Sequence, residues 1–377
     1  MELVTTPIQT ATAALYLAFE LSAAKWKIGF TVGLGQRPRV RTLDAGDLAG
    51  LRSEIEAAKK RFRLSTEAKV VSCYEAGRDG FWLHRTLVEM GIENLVVDSA
   101  SIEVKRRRKH AKTDRLDVAK LAEMLVRYCL GETRVWSVVR VPSEEEEDRR
   151  HLHRELATAK KDRNRIVSRV RALLFTHGIR LGKLEGLGEL LPRLRTGRGR
   201  ALPEHLLQRL RREWERLQFA SQQVKQLEET RRKQLRERKD AGSQCAAELM
   251  KLRGLGIEGS CVYAMEFFSW RQFRNGRQIG ALAGLVSTPY QSGGDSRDLG
   301  ISKAGNRAVR RMAIELAWSW LRYQPDSELS LWYQRRFGFG KSRLRRIGIV
   351  ALARKLLIAI WRYLETGTPP AGAVLKA

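Results

Sequence analysis

The chain has 377 residues, 43% of them hydrophobic, enough for two or three domains with real cores and too apolar for a disordered tail. Its 71 Lys and Arg against 42 Asp and Glu leave a formal net charge of +29, a self-repulsion best tolerated beside a polyanion, with nucleic acid the first candidate. A membrane role is disfavoured: the most aliphatic stretch, Ile347 to Trp361, carries Arg354 and Lys355 in its middle, and Ala11 to Phe19 has no basic residue before it and ends at Glu20.

From Leu15 to Trp136 short β-rich runs alternate with helical ones. "LYLAFEL" (15–21), "KWKIGFTVG" (25–33) and "RVRTLD" (39–44) are expected as strands. Residues 45–62 follow as a helix, "KVVSCYE" (69–75) as a strand, 81–90 as a helix, "NLVVDS" (94–99) as a strand and 115–130 as a helix. Three strands, helix, strand, helix, strand, helix is an α/β order with a mixed sheet, that of a ribonuclease H-like fold.

After Pro142 the pattern becomes helical. Ser143 with Glu146 three residues on is a capping box, and the acids behind it suit the first turn of a helix. Leu152, Leu156, Ala159, Ile166, Val170 and Leu173 form one apolar stripe. A Gly/Arg-rich joint, 178–200, leads to a second long helix striped by Leu207, Leu210, Trp214, Leu217 and Val224. The remaining faces are dense in Lys and Arg, either simply solvated or able to track phosphates while the pair dimerises as a coiled coil. From Leu249 the chain is compact again. "RGLGIEGS" (253–260) has the look of a helix-hairpin-helix turn or a plain interhelical turn, "YQSGGDSRDLG" (290–300) is expected as a loop, Ser302 as the cap of a helix 303–322, and 342–365 as a last helix. Trp318, Trp320 and Trp332 are expected in the core. The expected organisation is an α/β domain over 11–140, a helical coiled-coil region over 141–245 and a mostly helical domain over 246–377. Cys73, Cys129, Cys245 and Cys261 lack CxxC spacing and are expected as buried thiols.

Four carboxylates stand out. Asp114 and Asp117, three apart, share a helix face, while Glu20 and Glu75 close two apolar strands, where open α/β sheets hold ligands. Crowded together they would repel unless a divalent cation neutralised them, and Mg2+ or Mn2+ bound by oxygen would act on a phosphodiester. Each acid also has an ordinary reading, as a helix cap or as partner to a surplus arginine. The basic run Lys105, Arg106, Arg107, Arg108, Lys109 with Lys112 is placed to hold the phosphate chain.

These residues and their neighbours make the chain similar to the DEDD insertion-sequence transposases, the bridge-RNA-guided recombinases. The resemblance spans Leu15 to Thr366. "YEAGRDGFW" matches the strand-end motif of the second acid, "KTDRLDVAKLAEM" the element of the third and fourth, and "LAFELSAAKWKIGF" the first, with Glu20 where Asp is usual. "RGLGIEGS", with Arg for the usual Pro, "FRNGRQIGALAGLVSTP" and "YQSGGDSRDLGISKAGNRAVRR" match the serine-bearing transposase domain.

The resemblance implies a RuvC-like first domain, Mg2+ on Glu20, Glu75, Asp114 and Asp117, and Ser292 as the nucleophile that forms a covalent phosphoserine with DNA. It further implies an active dimer or tetramer, double-stranded donor and target DNA, a noncoding bridge RNA, and a prokaryotic cytosolic location at the nucleoid. Ser296 shares the loop with Ser292. Arg297, Lys303, Arg307 and Arg310, with Arg311, flank it as candidate phosphate contacts. The alternatives are a metal-dependent nuclease or junction resolvase, in which the C-terminal region only binds, and a catalytically silent nucleic-acid-binding protein.

Overall fold

A computed structural model describes residues 14–102, 114–292 and 295–376, with backbone alone at 100, 114–116 and 289–299; the basic run 105–109 and Lys112 lie outside the described residues. The chain divides into two units at Pro142/Ser143.

The first unit is built on strands β1 (Leu15–Leu21), β2 (Lys25–Thr31), β3 (Arg39–Asp44), β4 (Val70–Glu75) and β5 (Glu93–Val97), in the order β3-β2-β1-β4-β5. β1–β3 form an antiparallel meander, and β4 and β5 run parallel to β1. Parallel partners need crossovers, supplied by α1 (Leu48–Arg61) between β3 and β4 and α2 (Trp82–Glu89) between β4 and β5. Alternation divides the strands between two layers. Leu15, Leu17 and Phe19 pack with Trp26, Ile28, Tyr74 and the helices α1 and α2, whereas Ala18, Val71, Cys73 and Val97 face α3 (Asp114–Cys129). The mixed sheet and its strand order are compatible with a ribonuclease H-like domain.

The second unit opens with two long helices, α4 (Glu144–Phe175) and α6 (Glu204–Glu237). The expected capping box is present, Glu146 N donating to Ser143 Oγ and Ser143 N to the Glu146 carboxylate. The two helices run antiparallel: Lys160 meets Glu228 at 2.9 Å, and Arg169 meets Glu213 at 2.9 Å. Residues 178–200 are more than a joint. The short α5 (Leu187–Leu190) presses Gly188 on the Trp214 indole, and Ile179, Leu184, Leu187 and Leu202 join Ile166, Val170 and Leu210 in a separate hydrophobic cluster at the helix tips.

The remaining helices are α7 (Ala241–Met250), α8 (Ile257–Tyr263), α9 (Gly276–Leu282), α10 (Arg307–Tyr323), α11 (Glu328–Phe337) and α12 (Ser342–Thr366), with a π turn at Ala264–Phe268. They enclose the largest core, around Tyr263, Phe267, Trp320, Tyr333 and Tyr363. The structure corrects four expectations. The segment 290–300 is not a loop: β6 (Ser287–Ser292) and β7 (Asp295–Ile301) pair as an antiparallel hairpin. Asn306 rather than Ser302 caps α10, its side chain accepting from Ala308 N and Val309 N, because Gly305 at φ +83° breaks the chain just before it. Trp318 is exposed, Trp332 half-buried and in α11, and only Trp320 of the three is fully buried. Cys129 is exposed, while burial pushes the thiol of Cys245 up to about 12 and that of Cys261 up to about 11. Among the described residues no helix is long and apolar enough to cross a membrane.

Candidate active site

Glu20 and Glu75 each stand one residue beyond the paired Phe19 and Tyr74, so they sit in register at the carboxyl ends of neighbouring parallel strands. Alternation puts both on the α3 side, the side of Ala18 and Cys73. Both are half-buried. The loop after Glu75 is fixed by Ala76 N donating to Val97 O at 2.7 Å and the Tyr74 hydroxyl donating to Gly80 O at 3.0 Å.

Helix α3 crosses this face close to the sheet. A Cβ on Gly29, the residue opposite Ala18, would come within 2.6 Å of Val118 Cγ1. At the far end of the helix, Cys129 comes within electrostatic reach of Tyr16 and Lys69, at the start of the strands. The helix therefore runs against β1, and its first turn, with Asp114 and the half-buried Asp117, opens at the Glu20/Glu75 end of the sheet. Among the described residues no three His, Cys, Asp or Glu side chains are gathered closely enough to hold a metal ion. Glu20, Glu75 and Asp117, all described, are therefore not drawn into such a group, and the Asp114 side chain lies outside the described residues. As a donor set the four acids offer only oxygen, which suits a hard divalent cation and no softer one.

In the second unit Ser292 ends β6, opposite Asp295 in the last register pair before the hairpin tip, with Gln291 opposite Ser296 and Tyr290 opposite Arg297. Side chains there lie outside the described residues. The base of the hairpin is described in full. Ser302 N donates to Val286 O at 2.8 Å, and Asn306 N to Leu282 O at 2.8 Å. Here the turn after α9 and the turn before α10 cross with almost no space between them: a Cβ on Gly284 would lie 2.0 Å from Ala304 O, and one on Gly305 would lie 2.1 Å from Leu282 O. Both glycines also have positive φ, +68° and +83°. Arg310 is half-buried beside this crossing, its Nη1 donating at 3.4 Å to both Ala283 O and Ala304 O, so it holds the two turns together. Lys303, at φ +56°, and Arg307 are exposed, and Arg311 pairs with Glu315 at 3.5 Å.

Residues 246–331, from α7 into α11, match the transposase IS116/IS110/IS902 family. Over 98% of this chain and 97% of the relative, the sequence is 40% identical to the putative transposase y4rJ of Sinorhizobium fredii. It is also 27% identical to the transposase for insertion sequence element IS1111A of Coxiella burnetii, over 74% of each chain. A third relative is the transposase for insertion sequence element IS1328 of Yersinia enterocolitica, 25% identical over 58% of this chain and 63% of that one. The chain belongs to this insertion-sequence transposase family.

In this transposase the family-matching block contains the crossing of turns, the hairpin and the buried acceptor of a polar cluster with no local sequence signal. Glu266, in the π turn and 3% exposed, accepts from Arg154 Nε at 2.5 Å and Nη2 at 2.7 Å, from His153 Nε2 at 2.9 Å and from Asn306 Nδ2 at 3.2 Å. Burial by itself raises its carboxyl, but the Arg154 and His153 bonds outweigh that and hold it well below the usual carboxylate range. Through Asn306, which caps α10, this cluster ties the root of α4 to the helix that follows the hairpin.

The "RGLGIEGS" turn also has a structural task. Gly254, at φ +95°, packs on Tyr323, its carbonyl accepting from Ser319 Oγ at 2.7 Å, and Gly259 packs on Leu316. Gly305→Ala is expected to lower the unfolding free energy by about 2–3 kcal/mol, through left-handed strain plus overpacking against a carbonyl that cannot move. Urea denaturation of the full chain measures this. A loss below about 0.5 kcal/mol would contradict the close crossing.

Proposed function

We propose that this transposase cuts and joins DNA strands with Ser292 as nucleophile and with Mg2+ on Glu20, Glu75, Asp114 and Asp117, its sites being chosen by a noncoding bridge RNA. The observation that supports the metal half is the register of Glu20 and Glu75 at adjacent strand ends, on the face crossed by α3, whose first turn holds Asp114 and Asp117. A divalent ion would draw these carboxylates together against their mutual repulsion, and it would neutralise charge on a phosphodiester during in-line displacement. The nucleophile is supported by the family resemblance and by the position of Ser292 at the end of β6, next to the hairpin tip.

In the proposed step the Ser292 hydroxyl loses its proton and its Oγ bonds to phosphorus. The bond to one deoxyribose oxygen breaks, and that oxygen leaves as a protonated hydroxyl. Attack by a hydroxyl of the partner strand on the phosphoserine reverses the exchange and releases the serine, so the number of phosphodiester bonds is conserved. RNA guidance draws support from the resemblance, and a net charge of +29 is consistent with reading nucleic acid by backbone and shape. The same reading makes the active form a homo-oligomer on double-stranded donor and target DNA.

The test is trapping. Incubated with Mg2+, bridge RNA and nicked suicide DNA duplexes, the protein is expected to form a covalent adduct that survives denaturation and maps by peptide sequencing to Ser292. Strand cleavage with no adduct favours the nuclease alternative, and an adduct on Ser296 transfers the role to that residue.

A further inference from the structure

The hairpin that carries Ser292 stands beside a groove that the chemistry above does not use. The base of β6 and β7 forms one wall, α11 and α12 form the other, and about 1350 Å3 lies between them. That volume exceeds the roughly 300–1,000 Å3 of small-ligand clefts, which points to a polymer as the occupant.

The described lining has one sign of charge. Lys303, Arg343, Arg346, Arg354 and Lys355 face the groove, and among the described residues no Asp or Glu does. Among the described residues none of the five is paired with a carboxylate. Arg346 donates to Ser342 Oγ at 3.1 Å, and Lys355 Nζ lies 4.7 Å from the centre of the Trp332 ring. Between the cations the surface is apolar, made by Leu285, Ile301, Val350 and the half-buried Trp332.

The start of α12 adds an independent irregularity. Lys341 caps it without a side-chain hydrogen bond, and its first turn holds no acid. Arg343, Arg345 and Arg346 instead stand, exposed, at the positive end of the helix dipole, where cations are disfavoured. Both irregularities are relieved by an anion laid along the groove. Cations with an aromatic and aliphatic floor match a nucleic-acid strand better than an acidic peptide, which offers charge but no planar bases for the floor.

We propose that this groove binds one unpaired nucleic-acid strand, with its phosphodiesters on Lys303, Arg343, Arg346 and Arg354 and an unstacked base over Trp332. The proposal rests on the transposase reading. It adds a strand path at the foot of the hairpin, which would fix the direction from which a strand reaches Ser292.

Binding is read in the full chain carrying Ser292→Ala, with EDTA present, so that a failure of the proposed chemistry leaves the result unaffected. Fluorescent single-stranded DNA and RNA of one sequence are titrated over a salt series. The double variant Arg343→Gln/Arg346→Gln is expected to weaken binding by about tenfold or more and to flatten the plot of log affinity against log salt by about 1.4, the effect of two lost phosphate contacts on a single strand. Trp332→Leu should weaken binding about fivefold with the slope unchanged.

A loss confined to DNA assigns the groove to a substrate strand, a loss confined to RNA assigns it to the guide, and a loss on both assigns it to either strand. Unchanged affinity on both overturns the proposal. So does an equal loss in the control pair Arg335→Gln/Arg336→Gln on exposed positions of α11, or competition by polyglutamate as effective as that by the oligonucleotides. Thermal unfolding checks that each variant is folded, and if the double variant is not, Arg343→Gln alone decides.

Discussion

Arg154→Ala is expected to destabilise the second unit by about 3–5 kcal/mol, far beyond the cost of an ordinary surface ion pair. The asymmetry lies in burial. The Arg154 side chain is 52% exposed, but its partner Glu266 is 4% exposed and keeps its charge in place when the guanidinium is removed. Glu266→Gln, which removes that charge while keeping shape and a carbonyl acceptor, should cost only about 1–2 kcal/mol. Hydrogen exchange in 257–268 and 307–323, together with urea unfolding, measures both. An Arg154→Ala penalty no larger than that of Glu266→Gln would mean that the carboxylate is not the buried partner described here.

The same pair sets an acid limit. The folded Glu266 carboxyl is held below its ordinary value near 4.5, so the unfolded chain binds the proton more readily. Its contribution is fully present above about pH 4.5 and is lost as pH falls through the depressed folded value. Stability in wild type should therefore fall below pH 4.5 more steeply than in Glu266→Gln.

Glu75→Gln is expected to lower strand joining by about a thousandfold or more, since metal-assisted charge stabilisation is worth several kcal/mol and each 1.36 kcal/mol is tenfold. Glu75 is half-buried at the strand end rather than in the core, so the thermal midpoint should move by only a few degrees. Glu20→Asp keeps a carboxylate one methylene shorter and should retain joining within about tenfold of wild type. Joining unaffected by Glu75→Gln in a folded protein would end the metal proposal, whatever the fate of Ser292.

The succession of strands and helices in the first unit was legible because its signals are local. Three β-rich runs precede the first helix, and "VVSCYE" is apolar on both faces, as a central parallel strand requires. The β6–β7 hairpin was not legible: "STPYQS" and "DSRDLGI" have little of the apolar alternation that marks a half-buried strand, and their Gly, Ser and Asp content reads as a loop. Asn306 was masked by Ser302, an equally good cap letter four residues earlier, and only the left-handed Gly305 decides between them. At the candidate site, the strand-end places of Glu20 and Glu75 and the helix-start places of Asp114 and Asp117 were legible from local pattern. Glu266 could not, because its partner Arg154 is 112 residues away in sequence. The available hint was one acid in the apolar run "VYAMEFFSW".

The paired helices α4 and α6 make an arm about 50 Å long, at 1.5 Å per residue over the 32 residues of α4. Its free end carries a hydrophobic knob of its own, while its near end is fastened by charge, Arg154 and His153 on Glu266 and Lys160 and Arg231 on Glu258, and by a small apolar cluster in which Leu235 meets Ala246, Cys261 and Ala264. A tilt of 10° at that pivot would carry the knob on the order of 9 Å sideways. Salt would weaken the half-exposed Lys160–Glu258 part of that fastening and leave the buried Glu266 pair and both apolar clusters intact.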